Sequence, residues 1–173
     1  MAEVTQKHLK EIMNYNKSTG DFVWLKSRGR ISKGQKAGCV GDKGYLLIRV
    51  DGALHRAHRL AWLFVTGKMP DRQIDHINGD KLDNRWGNLR EADNGRNSAN
   101  ASVHSSNTSG YKGVSWRPDL GKYHAYGNKD GKRITLGFFS KAKDAAKAYD
   151  AHAKMEYGKF ARTNRKLGLL TSG

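Results

Sequence analysis

The chain reads as an α+β protein in two parts. An N-terminal unit closes on two short strands and a helix; after a linker comes a three-stranded antiparallel sheet packed on one helix. Three observations predict this. The stretch Asp75-His76-Ile77-Asn78-Gly79-Asp80 has an apolar lead-in at Ile74 and an apolar return at Trp86 and Leu89, then a polar segment, 91–101, that can form a short helix. Three alternating runs, 112–117, 122–128 and 132–139, are separated by the turn signals Asp119-Leu120-Gly121 and Lys129-Asp130-Gly131. Between these parts, residues 102–110 are rich in Ser and Asn and poor in large apolar side chains, which is linker composition.

Composition bounds the function. The 173 residues include 32 Lys and Arg against 16 Asp and Glu, a net charge of +16. With a pI near 10.1 and a mean hydropathy of -0.78, nucleic acid is the first expected partner and an anionic membrane surface the weaker alternative. No apolar run approaches the length of a membrane span. The one cysteine, Cys39, excludes an internal disulfide framework and a multi-cysteine zinc finger. It is expected to be a small packed side chain in a reducing compartment. Residues 1–6 lack the apolar core of a signal peptide, so a cytoplasmic protein is expected.

The N-terminal elements follow in order. Residues 4–15 carry Leu9, Ile12 and Met13 on one helical face, with Lys7, Lys10 and Glu11 outside. A turn at 16–21 precedes a strand at 22–25. The basic stretch 26–36 reads as a mobile loop or a DNA-contacting arm. A strand at 45–50, the hairpin signal Asp51-Gly52 and a return at 53–56 come next. A helix over 58–67 ends at Gly67, and Leu60, Leu63 and Phe64 are expected to pack beneath the central motif. His55 and His58 are read as structural rather than as ligands.

The central motif suits one chemistry. Phosphodiester hydrolysis needs a cation on the phosphate and the leaving oxygen, and a base for water. Asp75 and Asn97 offer hard oxygen donors, which suit magnesium or manganese better than zinc. His76 is a suitable general base, and the Asn88 amide can bond the loop backbone and hold His76 in place. Arg90 and Arg96 are candidate phosphate contacts or solvated arginines. Asp75-His76, Asn88 and Asn97, with the Asp83-Asn84-Arg85 and Asn88-Leu89-Arg90 runs, resemble the HNH endonucleases, the ββα-metal nucleases. The resemblance implies that His76 is the general base, that Asn88 braces the loop, and that Asn97 binds metal beside Asp75. With Asn in place of the last His, the pattern resembles the HNN variant and implies Mg2+ or Mn2+.

After the linker, alternation sorts the sheet. Val114, Trp116, Tyr123, Ala125, Ile134 and Leu136 are expected to face the helix, and Ser115, Arg117, His124, Tyr126, Asn128, Arg133 and Thr135 to face outward. Lys112, Lys122 and Lys132 flank that polar, basic face. Ser140 is expected to cap a helix running to Tyr157, with Ala142, Ala145, Ala146, Tyr149 and Ala153 on one side and Gly158 at its end. Tyr111-Lys112-Gly113-Val114, Gly121-Lys122-Tyr123, Leu136-Gly137-Phe138-Phe139, the run 144–151 and the run 158–164 together resemble the Apetala/ethylene-response-factor DNA-binding domain. The resemblance implies that the sheet enters the major groove through Lys112, Ser115, Arg117, Tyr126, Asn128, Arg133 and Thr135. Lys122 and His124 on the same sheet join this DNA-binding set. Ser115, Tyr126, Asn128 and Thr135 depart from that family's usual residues, so its target sequence does not carry over.

The expected organisation is thus a nuclease domain at 1–101 with its ββα-metal core at 73–101, a linker at 102–110, a DNA-reading domain at 111–164 and a tail at 165–173. The expected function is site-specific hydrolysis of double-stranded DNA, as in phage or bacterial homing-type enzymes, with one divalent ion, a histidine base and no small-molecule cofactor. A monomer would nick one strand, and a dimer or a second binding event would cut both. The rivals are a DNA-binding regulator in which the ββα unit is only structural, and an RNA-binding protein.

Overall fold

The computed structural model describes residues 4–170. The chain divides into two compact units, Met1–Ala92 and Asp93–Gly173, so the division falls ahead of the 102–110 stretch.

In the first unit, α1 (Gln6–Ile12) starts at Thr5, whose hydroxyl accepts the His8 N–H. The helix stops short of the expected 15. Met13–Tyr15 is instead β1, paired antiparallel with β2 (Phe22–Trp24). Met13 and Tyr15 are both buried with Asn14 exposed between them, a strand's period of two. The Tyr15 ring stacks on Phe22 at 4.7 Å. This packing across the hairpin overrides the helical pattern that leads into it.

A three-stranded antiparallel sheet follows: β3 (Cys39–Val40), β4 (Leu46–Val50) and β5 (Ala53–Arg56), in that order. Asp51 and Gly52 join β4 to β5 with φ of 47° and 84°, the positive pair that a type I′ hairpin turn requires. Strand β3 has no sequence signal, since it is two residues long. It leaves Cys39 exposed rather than packed as expected. Helix α2 (Ala57–Thr66) ends on Gly67 in the left-handed region. Leu60 and Leu63 of α2 share one core with Leu9, Met13, Phe22, Trp24, Ile48, Val50, Ile74 and Leu89, and Phe64 packs against it. Ile74 and Leu89 belong to an antiparallel pair, β6 (Gln73–His76) and β7 (Leu89–Ala92). Burying two such side chains contributes roughly 1.5–3 kcal/mol each, which anchors the hairpin that carries Asp75 and His76.

The second unit opens with α3 (Asn94–Asn100), capped by the Asp93 carboxylate accepting the Arg96 N–H. The expected helix at 91–101 begins later because Glu91 and Ala92 still belong to β7. Helix α3 packs on α4 (Ala142–Tyr157) and on the 3-10 turn at Gly158–Phe160. Strands β8 (Val114–Arg117), β9 (Lys122–Lys129) and β10 (Lys132–Phe139) form an antiparallel sheet in the order β10-β9-β8, with α4 against it. Ala145, Ala146, Tyr149 and Ala153 are buried on the facing side of α4. The N-cap of α4 is Lys141 and makes no side-chain capping bond, so Ser140 does not cap it. Gly127 of β9 has no room for a side chain, because a Cβ there would lie 2.3 Å from Cδ2 of His152 on α4.

The 102–110 segment is partly tied down. Asn107 and Ser109 donate side-chain hydrogen bonds to the carbonyls of Tyr111 and Val114. At the far end Leu170 is buried in the core of this unit. Residues 171–173 of the expected tail lie outside the described residues. Among the described residues no helix is long and apolar enough to cross a membrane.

Candidate functional site

Asp75 and His76 end strand β6 and are both buried, at 7% and 5% exposure. Their cross-strand neighbours are Arg90 and Leu89. Arg90 reaches across the pair and donates from Nε (2.9 Å) and Nη2 (2.8 Å) to Oδ2 of Asp75. Arg90 is therefore engaged by a carboxylate in addition to whatever else it touches.

The loop between the strands is held by its own amides. Asn88 accepts the Asn78 backbone N–H on Oδ1 at 3.0 Å. Its Nδ2 donates to Asn78 Oδ1 (3.0 Å) and to the Asp83 carbonyl (2.8 Å). Asn78 in turn donates to the Asp83 carboxylate at 2.7 Å, and Arg85 donates to both Asp83 oxygens. These bonds, the Arg85 guanidinium foremost, bring Asp83 down to a pKa of about 2. Gly79 sits at φ 75°, the left-handed position that the tight turn needs.

The side chain that meets the His76 ring is Asn84, not Asn88. The sequence carries Asn84 within the Asp83-Asn84-Arg85 run but gives no sign of this role. It is 1% exposed, its Nδ2 donates to the Leu82 carbonyl at 3.0 Å, and its own carbonyl accepts the Tyr15 hydroxyl at 2.6 Å. The Leu82 bond sets the amide's orientation, so Oδ1 faces His76 Nε2 at 3.3 Å. An amide oxygen only accepts, which places the proton on Nε2 and the lone pair on Nδ1. Burial keeps the His76 pKa below its ordinary value, opposed by the Asn84 bond and by Asp75, Asp80 and Asp83. His76 is therefore a neutral imidazole at pH 7.

His58 of α2 completes this wall. Its ring meets His76 edge-on at 5.0 Å and Tyr45 at 5.2 Å. Burial, with His76, Arg56 and Arg59 nearby, drives its pKa to about 3. A proton on His58 would be opposed from every side, so it is a neutral packing group.

Asn97 lies on α3, in the second unit. On the same helix Arg96 pairs with Asp93 at 3.3 Å and lies over the Phe160 ring at 5.2 Å. No group of three or more His, Cys, Asp or Glu side chains among the described residues could hold a metal ion. An oxygen donor such as the Asp75 carboxylate suits magnesium or manganese, which bind through one or two protein oxygens and fill the remaining positions with water and phosphate.

The sheet of the second unit displays most of the expected outer face. Strand pairing sets Ser115 opposite His124, Arg117 opposite Lys122, Tyr126 opposite Thr135 and Asn128 opposite Arg133. Arg117 forks onto the exposed Asp119 at 3.0 and 2.8 Å. The Arg133 guanidinium lies 4.4 Å over the Tyr126 ring, and His124 Nε2 is 3.0 Å from Thr135 Oγ1. Two residues depart from expectation. Trp116, expected to face the helix, is 44% exposed and meets Tyr123 edge-on. Lys112 is buried. Its ammonium donates to the carbonyls of Ala99 and Ala101 (2.6 Å each) and reaches that of Arg162 (3.5 Å). Burial lowers its pKa to about 8. It fastens chain segments within the unit, a use of lysine that sequence does not distinguish from a phosphate contact.

Comparison with known proteins bears on the first unit and beyond. A family model described as HNH endonuclease matches residues 55–99, a span that runs from β5 through α3. The chain is 31% identical over 156 residues, 89% of its length and 79% of the relative's, to a protein of Acanthamoeba polyphaga mimivirus named as an uncharacterised HNH endonuclease. It is 32% identical over 108 residues, 62% of its length and 88% of the relative's, to protein 3.8 of Escherichia phage T7. No solved structure matches it significantly.

Proposed function

The chain belongs to the HNH endonuclease family, and from that premise we propose that it hydrolyses a phosphodiester bond of double-stranded DNA with His76 as general base. The observation that carries this reading is the buried Asp75–His76 pair, whose imidazole is neutral and oriented through Asn84. A neutral ring with its lone pair on Nδ1 can take a proton from water. Asn88 keeps the loop closed around that ring through Asn78 and Asp83. Asp75 is held by Arg90 and is assigned as an oxygen ligand, with Asn97 as the second ligand on the strength of the HNN-type spacing. A bound magnesium or manganese ion would supply positive charge for the leaving 3′ oxygen.

The second unit is proposed to choose the site. Its outer sheet face carries groups able to bond base edges, with lysines at the rim. One catalytic centre per chain implies a nick in one strand, as in a homing-type enzyme.

The test is incubation of the full chain with supercoiled plasmid and magnesium. Nicking that disappears with EDTA, returns with magnesium or manganese, and falls about 100- to 10,000-fold in His76→Ala supports the reading. Specific binding without any strand breakage would make the protein a DNA-binding regulator instead. Recovery with zinc alone would overturn the oxygen-ligand assignment.

A further inference from the structure

We propose that the stacked pair His124–Phe138 on the outer sheet face recognises the 5-methyl group of thymine in duplex DNA. The proposal rests on the reading of the second unit as the part that chooses the site.

The pair exists because of a break in register. Strand β10 pairs Arg133 with Asn128 and Thr135 with Tyr126, and then shifts between Thr135 and Gly137. After the shift Phe138 lies opposite His124. Unbroken alternation would have put Phe138 on the side of Ile134 and Leu136, toward the helix. The bulge turns it outward to 42% exposure, while Phe139 packs against the core. The rings of Phe138 and His124 lie 4.9 Å apart at 20°. The His124–Thr135 contact fixes the imidazole, and Ser115, next in the same row, is too short to cover it.

The neighbouring cations are already engaged. Arg117 is forked to Asp119, and Arg133 lies on Tyr126. The middle of the face is thus an apolar plate between polar ends. Lys122 lies at one end of the same face; Lys129 and Lys132, also exposed, pair at the hairpin end in the row of Gly127 and Ile134, on the other side of the sheet. A lysine beside an exposed ring pair, in a chain of net charge +16, complements a phosphate next to a base edge. Of the groups displayed in the major groove, the thymine methyl is the one that an aromatic plate contacts favourably, and it distinguishes thymine from cytosine.

The experiment uses the full chain in EDTA, where binding is read without cleavage. Duplexes selected from a randomised pool define the preferred sequence. Each thymine is then replaced in turn by deoxyuridine, which removes only the methyl group. The wild-type chain is expected to lose about fourfold in affinity at one or two positions, the worth of one methyl. Phe138→Ser should lose sensitivity at those positions, and Phe138→Leu should retain part of it. A wild-type chain indifferent to every thymine-to-uracil change, or a Phe138→Ser chain as sensitive as wild type, would overturn the proposal while leaving a DNA-reading sheet in place. Selection that yields no preferred sequence would overturn that reading too.

Discussion

Arg90 and Asp75 face each other across the β6–β7 pair, and the guanidinium gives two hydrogen bonds to one carboxylate oxygen with both side chains shielded, at 14% and 8% exposure. Removing one partner of such a pair takes two hydrogen bonds from a charge shielded from water. Arg90→Ala should cost about 3–5 kcal/mol of folding stability, read as a lower urea midpoint. Arg90→Lys should recover only part of this, because an ammonium lacks the planar fork. A loss below about 1 kcal/mol, typical of an exposed pair, would show that the carboxylate finds other partners.

Asn84 is expected to position His76. Asn84→Leu removes the acceptor at Nε2 while keeping the volume close. Single-turnover nicking should fall about tenfold or more at unchanged DNA affinity. The Asn84 bond favours the protonated ring, so its loss should also move the acid limb of the rate profile to lower pH. A stability defect alone would not shift that limb.

His58 makes folding stability depend on pH. Its folded pKa, about 3, lies below its ordinary 6.5. Between those values the unfolded chain binds the proton and the folded chain does not, so stability rises with pH. It should be complete above about pH 6.5 and be lost as the pH falls from there toward 3, by up to about 1.4 kcal/mol per unit. Denaturant titrations at several pH values, with His58→Gln as reference, should show a flatter curve in the variant. Parallel curves would remove His58 as the source.

Lys112 and Lys122 should separate under salt. Lys112 is spent on backbone carbonyls, whereas Lys122 is exposed on the sheet. Lys112→Met should cost about 1–3 kcal/mol of stability for the carbonyls left unpaired and leave the salt dependence of DNA binding unchanged. Lys122→Ala should leave stability nearly unchanged and flatten that dependence by about one counterion. The opposite pattern would return Lys112 to the DNA-contacting set.

The sequence by itself determined what depends on neighbours along the chain. Asp51-Gly52 marked its hairpin and Gly67 its helix end, because positive φ restricts those positions to few residues. Period-two alternation located β8, β9 and β10, and the Asp75-His76 dipeptide with its turn singled out the hairpin that carries the candidate chemistry. Tertiary structure decided what depends on partners far away. Met13 and Tyr15 became a strand because Phe22 and Trp24 pair with them. Asn84 came to orient His76 through its buried side-chain amide, while its backbone carbonyl accepts the Tyr15 hydroxyl, 69 positions away in sequence. The Lys112 ammonium went inward because three carbonyls converge on it, and one bulge in β10 reversed the side on which Phe138 lies. Turns and alternation are short-range preferences of the backbone, so the local sequence carries them. Hydrogen bonds and register between distant segments exist only once the chain has closed on itself, and neither a lone asparagine nor a lone lysine announces which partner it will find.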